Sequence, residues 1–168
     1  MKQCTHLPGF VVACSQYLFI KEKSLRTTGF SFPFVPLSEM KGMVTKMKKK
    51  LLYVQTSGIN TPRRLYSPFI LAQTALQMDV EPTIYFLGEG ITVVENGNAE
   101  KIKMGSFPTL KEVMDKTASM GVKLLVCQQS MQVFGTDLTE DDFVESSKIV
   151  GAATLNSLVL EADGTMWF

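Results

Sequence analysis

Gly121-Val122-Lys123-Leu124-Leu125-Val126-Cys127 is a short apolar run with a glycine at its head, followed at once by the polar Gln128-Gln129-Ser130. Its length and near-continuous apolar character predict a strand buried on both faces, as in a parallel sheet. A helix is expected to start near Ser130, with its free N–H groups aimed back toward the Cys127 sulfur. Where a buried strand opens onto a helix, a thiol is biased toward thiolate, the form that acts as a nucleophile. The competing reading is that Cys127 is a small apolar residue closing a strand, since free cysteine is among the most buried residue types.

Working outward, the same strand-then-helix alternation recurs from Lys50 onward. Leu51 to Gln55 reads as the first strand, ending in the small-residue loop Thr56-Ser57-Gly58-Ile59-Asn60. Two helix starts follow, Thr61-Pro62 and Ser67-Pro68, and a kink at Pro68 would reconcile them. Either start puts Phe69, Ala72, Gln73 and Leu76 on one face. Pro82 to Leu87 is the second strand, closed by a turn at Gly88-Glu89-Gly90 that leads into Ile91-Thr92-Val93-Val94 without a helix. Thr109-Leu110-Lys111-Glu112 is a capping box opening a helix with an apolar stripe of Leu110, Val113, Met114 and Met120, and Gly121 ends it. Beyond Cys127 come a short helix to about Phe134, a capping signal at Thr139 to Asp142, an apolar stretch at Ile149-Val150, a helix from about Ala152 to Ala162 and a last strand at Thr165 to Phe168. This order predicts an α/β protein with a mainly parallel sheet.

In an open α/β sheet the ligand crevice lies beyond the carboxyl ends of the strands. Those ends carry Gln55 to Gly58, Gly88 to Gly90 and Cys127 to Ser130, so Cys127 stands on the functional edge. Gly88-x-Gly90 lacks the third glycine and the following helix of a dinucleotide loop, and reads as a tight turn. His6, the sole histidine, lies far from this segment, so no Cys-His or Ser-His-Asp arrangement can be assembled there. Arg63 and Arg64 near a helix start could hold a small anion or could form an ordinary solvated helix face, and Glu89 could orient a partner or be merely exposed.

Of 168 residues, 45% are hydrophobic and 20% charged, enough for one domain with a sizeable core. Seventeen basic against 16 acidic residues give a net charge of +1, without the basic excess that nucleic-acid binding requires. The one basic cluster, Lys41, Lys46, Lys48, Lys49 and Lys50, precedes a hydrophobic strand as solvated gatekeepers do. Cys4, Cys14 and Cys127 have neither CxxC nor paired spacing, so neither a disulfide framework nor a zinc site is suggested, and a reducing cytoplasm fits. Residues 1–47 lack periodicity, and Phe30-Ser-Phe-Pro-Phe-Val-Pro36 is too proline-broken for a helix or central strand. Leu7 to Ile20 is too short and too interrupted to span a bilayer. The segment is expected to be an appendage to a domain covering 48–168, and Met40, Met43 and Met47 offer alternative translation starts.

Taken together, Tyr53-Val54-Gln55-Thr56-Ser57-Gly58, Ile84-Tyr85-Phe86-Leu87-Gly88-Glu89-Gly90, Leu125-Val126-Cys127-Gln128-Gln129-Ser130-Met131, Gly151-Ala152-Ala153-Thr154 and Ala162-Asp163 with a final apolar strand resemble the DsrE/DsrF family of sulfur-relay proteins. The resemblance covers about Lys49 to Phe168 and rests on the order and spacing of short motifs. It implies a three-layer α/β/α sandwich with a mainly parallel five-stranded sheet, homo- or hetero-oligomers, and sulfur carriage on the cysteine after the third strand, here Cys127. It implies as partner a small sulfur-carrier protein of the TusA-like kind or another DsrE-like subunit; no cofactor and no metal are expected, and the charge balance and segment lengths argue against nucleic acid and membrane. In the geometry expected of this fold, Gln128, Gln129 and Ser130 donate hydrogen bonds that lower the thiol's pKa, Thr56, Ser57 and Gly58 line the opposite wall, and Gly88 and Glu89 are further candidates for substrate or partner contact. The alternatives of the same fold are a non-catalytic oligomeric subunit with Cys127 packed and a small-anion-binding module using Arg63.

Overall fold

The computed structural model describes residues 48–134 and 137–168. The expected appendage over residues 1–47 lies outside the described residues. Five strands form one sheet: β1 (Lys50–Gln55), β2 (Glu81–Phe86), β3 (Lys123–Cys127), β4 (Ser147–Val150) and β5 (Gly164–Trp167), in the order β4-β3-β2-β1-β5. Every pairing is parallel, with Tyr53 opposite Ile84, Ile84 opposite Leu124 and Tyr53 opposite Met166. The helices are α1 (Ser67–Gln77), α2 (Leu110–Ser119), α3 (Gln128–Phe134) and α4 (Ala152–Glu161).

Strand alternation divides the core into two layers. Tyr53, Ile84, Phe86, Leu124 and Val126 face one side, where Phe69 and Ala72 of α1 and Leu110, Val113 and Met114 of α2 pack on them. Leu52, Val54, Tyr85, Leu125 and Cys127 face the other, covered by Leu155 and Leu158 of α4. The α/β/α sandwich expected from the sequence is therefore present, with its two layers unequal. Each large apolar side chain of the first layer contributes about 1.5–3 kcal/mol on burial, whereas α4 has no fully buried residue at all.

Three local expectations are corrected. The two proline signals start two elements: Pro62 opens a 3-10 turn at Pro62–Arg64 and Pro68 stands in the first turn of α1. A single kinked helix would have set the Pro68 ring against the carbonyl of Arg64. The segment after β2 is not a bare turn but a 3-10 helix, Gly88–Val93, pulled onto the core by the fully buried Ile91 and Val93. In α2 the capping box forms as expected, Thr109 N donating to Glu112 Oε2 at 2.7 Å and Glu112 N to Thr109 Oγ1 at 3.3 Å. Its stripe, however, continues at buried Thr117, while Met120 stands 38% exposed beyond the last helical turn. Gly121 follows at φ +90°, a backbone that ends the helix at no steric cost. No helix of the described residues is long and apolar enough to cross a membrane.

Candidate functional site at the end of the third strand

Cys127 is the last residue of β3, and α3 begins at Gln128 with no intervening loop. The cysteine thus occupies the N-cap position, from which a side chain reaches the N–H groups two and three residues on. Those of Gln129 and Ser130 both act on the sulfur. The thiol is only 2% exposed; Leu87, Val150 and Leu155 pack against its cluster. This corrects the expectation of a solvent-open thiol, because α4 crosses the sheet face on which Cys127 lies.

Burial pushes the thiol up, but the Ser130 hydroxyl, the Tyr85 hydroxyl and the N–H groups of Ser130 and Gln129 outweigh it and hold the thiol below its ordinary range. While protonated, Cys127 Sγ donates to Gln129 Oε1 at 3.7 Å. The same oxygen accepts from Ala152 N at 2.9 Å, which ties the first turn of α4 to the residue beside the sulfur. Tyr85 is wholly buried. Its phenol is pushed well above the ordinary range, first by that burial and then by Cys127, so it stays a donor at every physiological pH.

Ser130, also buried, joins two strand ends: its Oγ accepts from Gly88 N at 2.8 Å. Gly88 has φ +60°, the left-handed backbone that favours glycine. A Cβ on Gly58 would stand 2.7 Å from the Glu89 carbonyl oxygen and 2.8 Å from Thr92 Oγ1. Thr92 Oγ1 in turn donates to Glu89 O at 2.8 Å and accepts from Ile59 N at 3.1 Å. The carboxyl ends of β1, β2 and β3 are thereby packed as one unit.

Of the residues singled out from sequence, Gln129, Ser130 and Gly88 belong to the environment of Cys127. Gln128 is exposed and takes no part in the thiol's hydrogen bonds. Thr56 and Ser57 serve elsewhere: their N–H groups donate to Phe168 O at 2.8 and 3.1 Å and hold the end of the chain against β1. Gly58 and the Glu89 backbone touch each other, and the Glu89 side chain is exposed. Arg63 and Arg64, both exposed, line a separate cavity of about 370 Å³ formed by residues 60–64. Two residues escaped sequence reading. Thr92 falls in a segment with no periodicity, and Tyr85 reads as one more apolar residue of β2 until the register places it beside Leu125, one alternation from Cys127.

The sequence model of the DsrE/DsrF-like family matches residues 49–168. An uncharacterized protein of Methanocaldococcus jannaschii, MJ0760, is 32% identical over 116 residues, which are 69% of this chain and 41% of that protein. The chain therefore spans about two fifths of the length of the curated relative it matches. The crystal structure of the YchN protein from E. coli superposes with a TM-score of 0.57 at 14% identity, covering 73% of this chain and all of that one. It is a likeness of fold.

Proposed function

The chain belongs to the DsrE/DsrF-like family, and from that premise, which points to a role in sulfur relay, we propose that it is a cytoplasmic sulfur carrier that loads and unloads sulfur on Cys127. The observation that carries this reading is the thiol held below its ordinary range by four donors at the end of β3. The thiolate attacks the outer sulfur of a donor persulfide, the donor's S–S bond breaks, and the donor departs as a thiolate while Cys127 becomes a persulfide. No net oxidation occurs. With tetrathionate as donor, the thiolate attacks an inner sulfur, thiosulfate leaves, and Cys127 carries a –S–SO3− adduct in place of a persulfide.

Because Cys127 has no CxxC partner, the adduct is resolved by a second protein, a small sulfur carrier of the TusA-like kind or another DsrE-like subunit. Val133 and Phe134 of α3, 74% and 54% exposed, provide apolar surface on the helix that starts at the cysteine. Self-association is supported by further exposed apolar side chains, Leu160 of α4 and Met166 and Trp167 of the edge strand β5.

The burial of Cys127 favours one rival, a non-catalytic subunit in which the thiol is simply packed. The test separates them. Incubation with tetrathionate or a persulfidated carrier is expected to add mass that reductant removes and that peptide mapping places on Cys127, and Cys127→Ser abolishes the gain. No adduct on the wild-type protein, or an adduct confined to Cys4 or Cys14, overturns the carrier reading in favour of the packed subunit.

A further inference from the structure

We propose that Tyr85 is a positioning residue for Cys127: its phenol, sealed between the sheet and α4 with no other polar partner, is the donor that takes up negative charge on the sulfur. Among the described residues the hydroxyl oxygen of Tyr85 is buried without a hydrogen-bond partner of its own. Leaving a hydroxyl in that state is unfavourable, so phenylalanine would be the better residue for packing alone. Tyr85 sits opposite Leu125 in the β2–β3 register, and Cys127 is the next residue of β3 on the same face.

The other donors to the sulfur are local to it: Ser130, whose Oγ also accepts from Gly88 N, and the two N–H groups lie in the first turn of α3. Tyr85 comes from the neighbouring strand, and among the described residues its hydroxyl has no other partner. When the sulfur is a thiol, its proton is given to Gln129 Oε1 and it offers the phenol only a weak acceptor. When the sulfur is a thiolate it becomes a charge-assisted acceptor, and the phenol acquires the partner it lacks.

Its consequence for transfer rests on the carrier reading above. In unloading, an acceptor thiolate attacks the outer sulfur of the Cys127 persulfide. The bond between the two sulfurs breaks, its electron pair leaves with Cys127 Sγ, and the acceptor becomes the persulfide. Cys127 thiolate is then the leaving group, and a less basic leaving group departs faster. Tyr85 therefore acts chiefly on the hand-over step. In loading, the smaller thiolate population of a variant would be partly offset by its greater intrinsic nucleophilicity.

The test is Tyr85→Phe, which removes one oxygen and keeps the ring. Thiolate ultraviolet absorbance is followed against pH, with the Cys127→Ser form of each protein as blank, so that only the Cys127 thiol is read. The midpoint is expected to rise so that the thiolate-to-thiol ratio at a fixed pH falls about tenfold. An unchanged midpoint in the folded variant overturns the proposal. Should Tyr85→Phe not fold, a ring-fluorinated tyrosine placed at position 85 keeps the shape and strengthens the donor; the midpoint then falls, and an unmoved midpoint overturns the proposal equally. No sulfur donor enters this titration. A protein that accepts no sulfur but shows the shift loses the carrier reading and keeps Tyr85, and one that accepts sulfur without the shift does the reverse.

Discussion

The side-chain oxygen of Gln129 accepts from the backbone N–H of Ala152 at 2.9 Å, so the second residue after the cysteine anchors the first turn of the helix that covers it. Because the same oxygen accepts the hydrogen bond of the thiol, one carboxamide connects the protonation state of Cys127 to the seating of α4.

Gln129→Glu keeps an acceptor for Ala152 N and adds a negative charge next to the sulfur, which raises the thiol pKa. Alkylation of Cys127 at neutral pH is expected to slow several-fold with little change in melting temperature. Gln129→Leu is expected to act on stability instead, with a loss of about 1 kcal/mol in urea unfolding as the Ala152 N–H loses its partner.

The lowered thiol also makes stability depend on pH. A group whose pKa is depressed by folding stabilises the native state above its ordinary value, and that contribution is lost as pH falls through the folded value. For Cys127 the window ends at the ordinary thiol value of 9.0 and begins below it. The stability difference between the wild-type protein and Cys127→Ser is expected to move in favour of the wild type as pH rises toward 9.0 and to level off above it. Urea midpoints across that range check it, and a flat difference would mean that the sulfur is not held as thiolate.

Gly90→Ala should be among the most damaging substitutions in the domain. Its Cβ would lie 2.0 Å from the Gln55 carbonyl oxygen, which also accepts from Leu87 N at 2.9 Å, so the ends of β1 and β2 would have to separate. A loss of roughly 3 kcal/mol or more is expected by thermal unfolding. Gly97→Ala has nothing within 4 Å of its new carbon and meets only the strain of φ +81°, about 1–2 kcal/mol.

If the apolar outer surface of α4 and β5 is an interface between copies, the double substitution Leu160→Lys with Trp167→Lys removes it. Leu160 is 87% and Trp167 55% exposed, so neither supports the core of one copy. Light scattering is expected to report a shift to monomer with the circular dichroism spectrum unchanged. A monomeric wild-type protein at micromolar concentration would contradict the interface.

The element order was legible in the sequence because it rests on local periodicity. The apolar run before Cys127, the Thr109-Glu112 capping box and Gly121 each act within a few residues, and they form as the sequence predicts. The candidate thiol was legible for the same reason: a cysteine at the end of such a run and ahead of a helix stands at the carboxyl edge of a parallel sheet whatever the strand order. Its surroundings were not. That β2 lies beside β3, that Tyr85 shares a face with Cys127, and that α4 seals this face are consequences of contacts between segments distant in sequence, as in the Ala152–Gln129 and Gly88–Ser130 hydrogen bonds, 23 and 42 residues apart. Local sequence carries no record of register. For that reason the sequence by itself determined that Cys127 stands at the end of a buried strand ahead of a helix, while the tertiary structure alone decided that the thiol is buried and that Tyr85 shares its face.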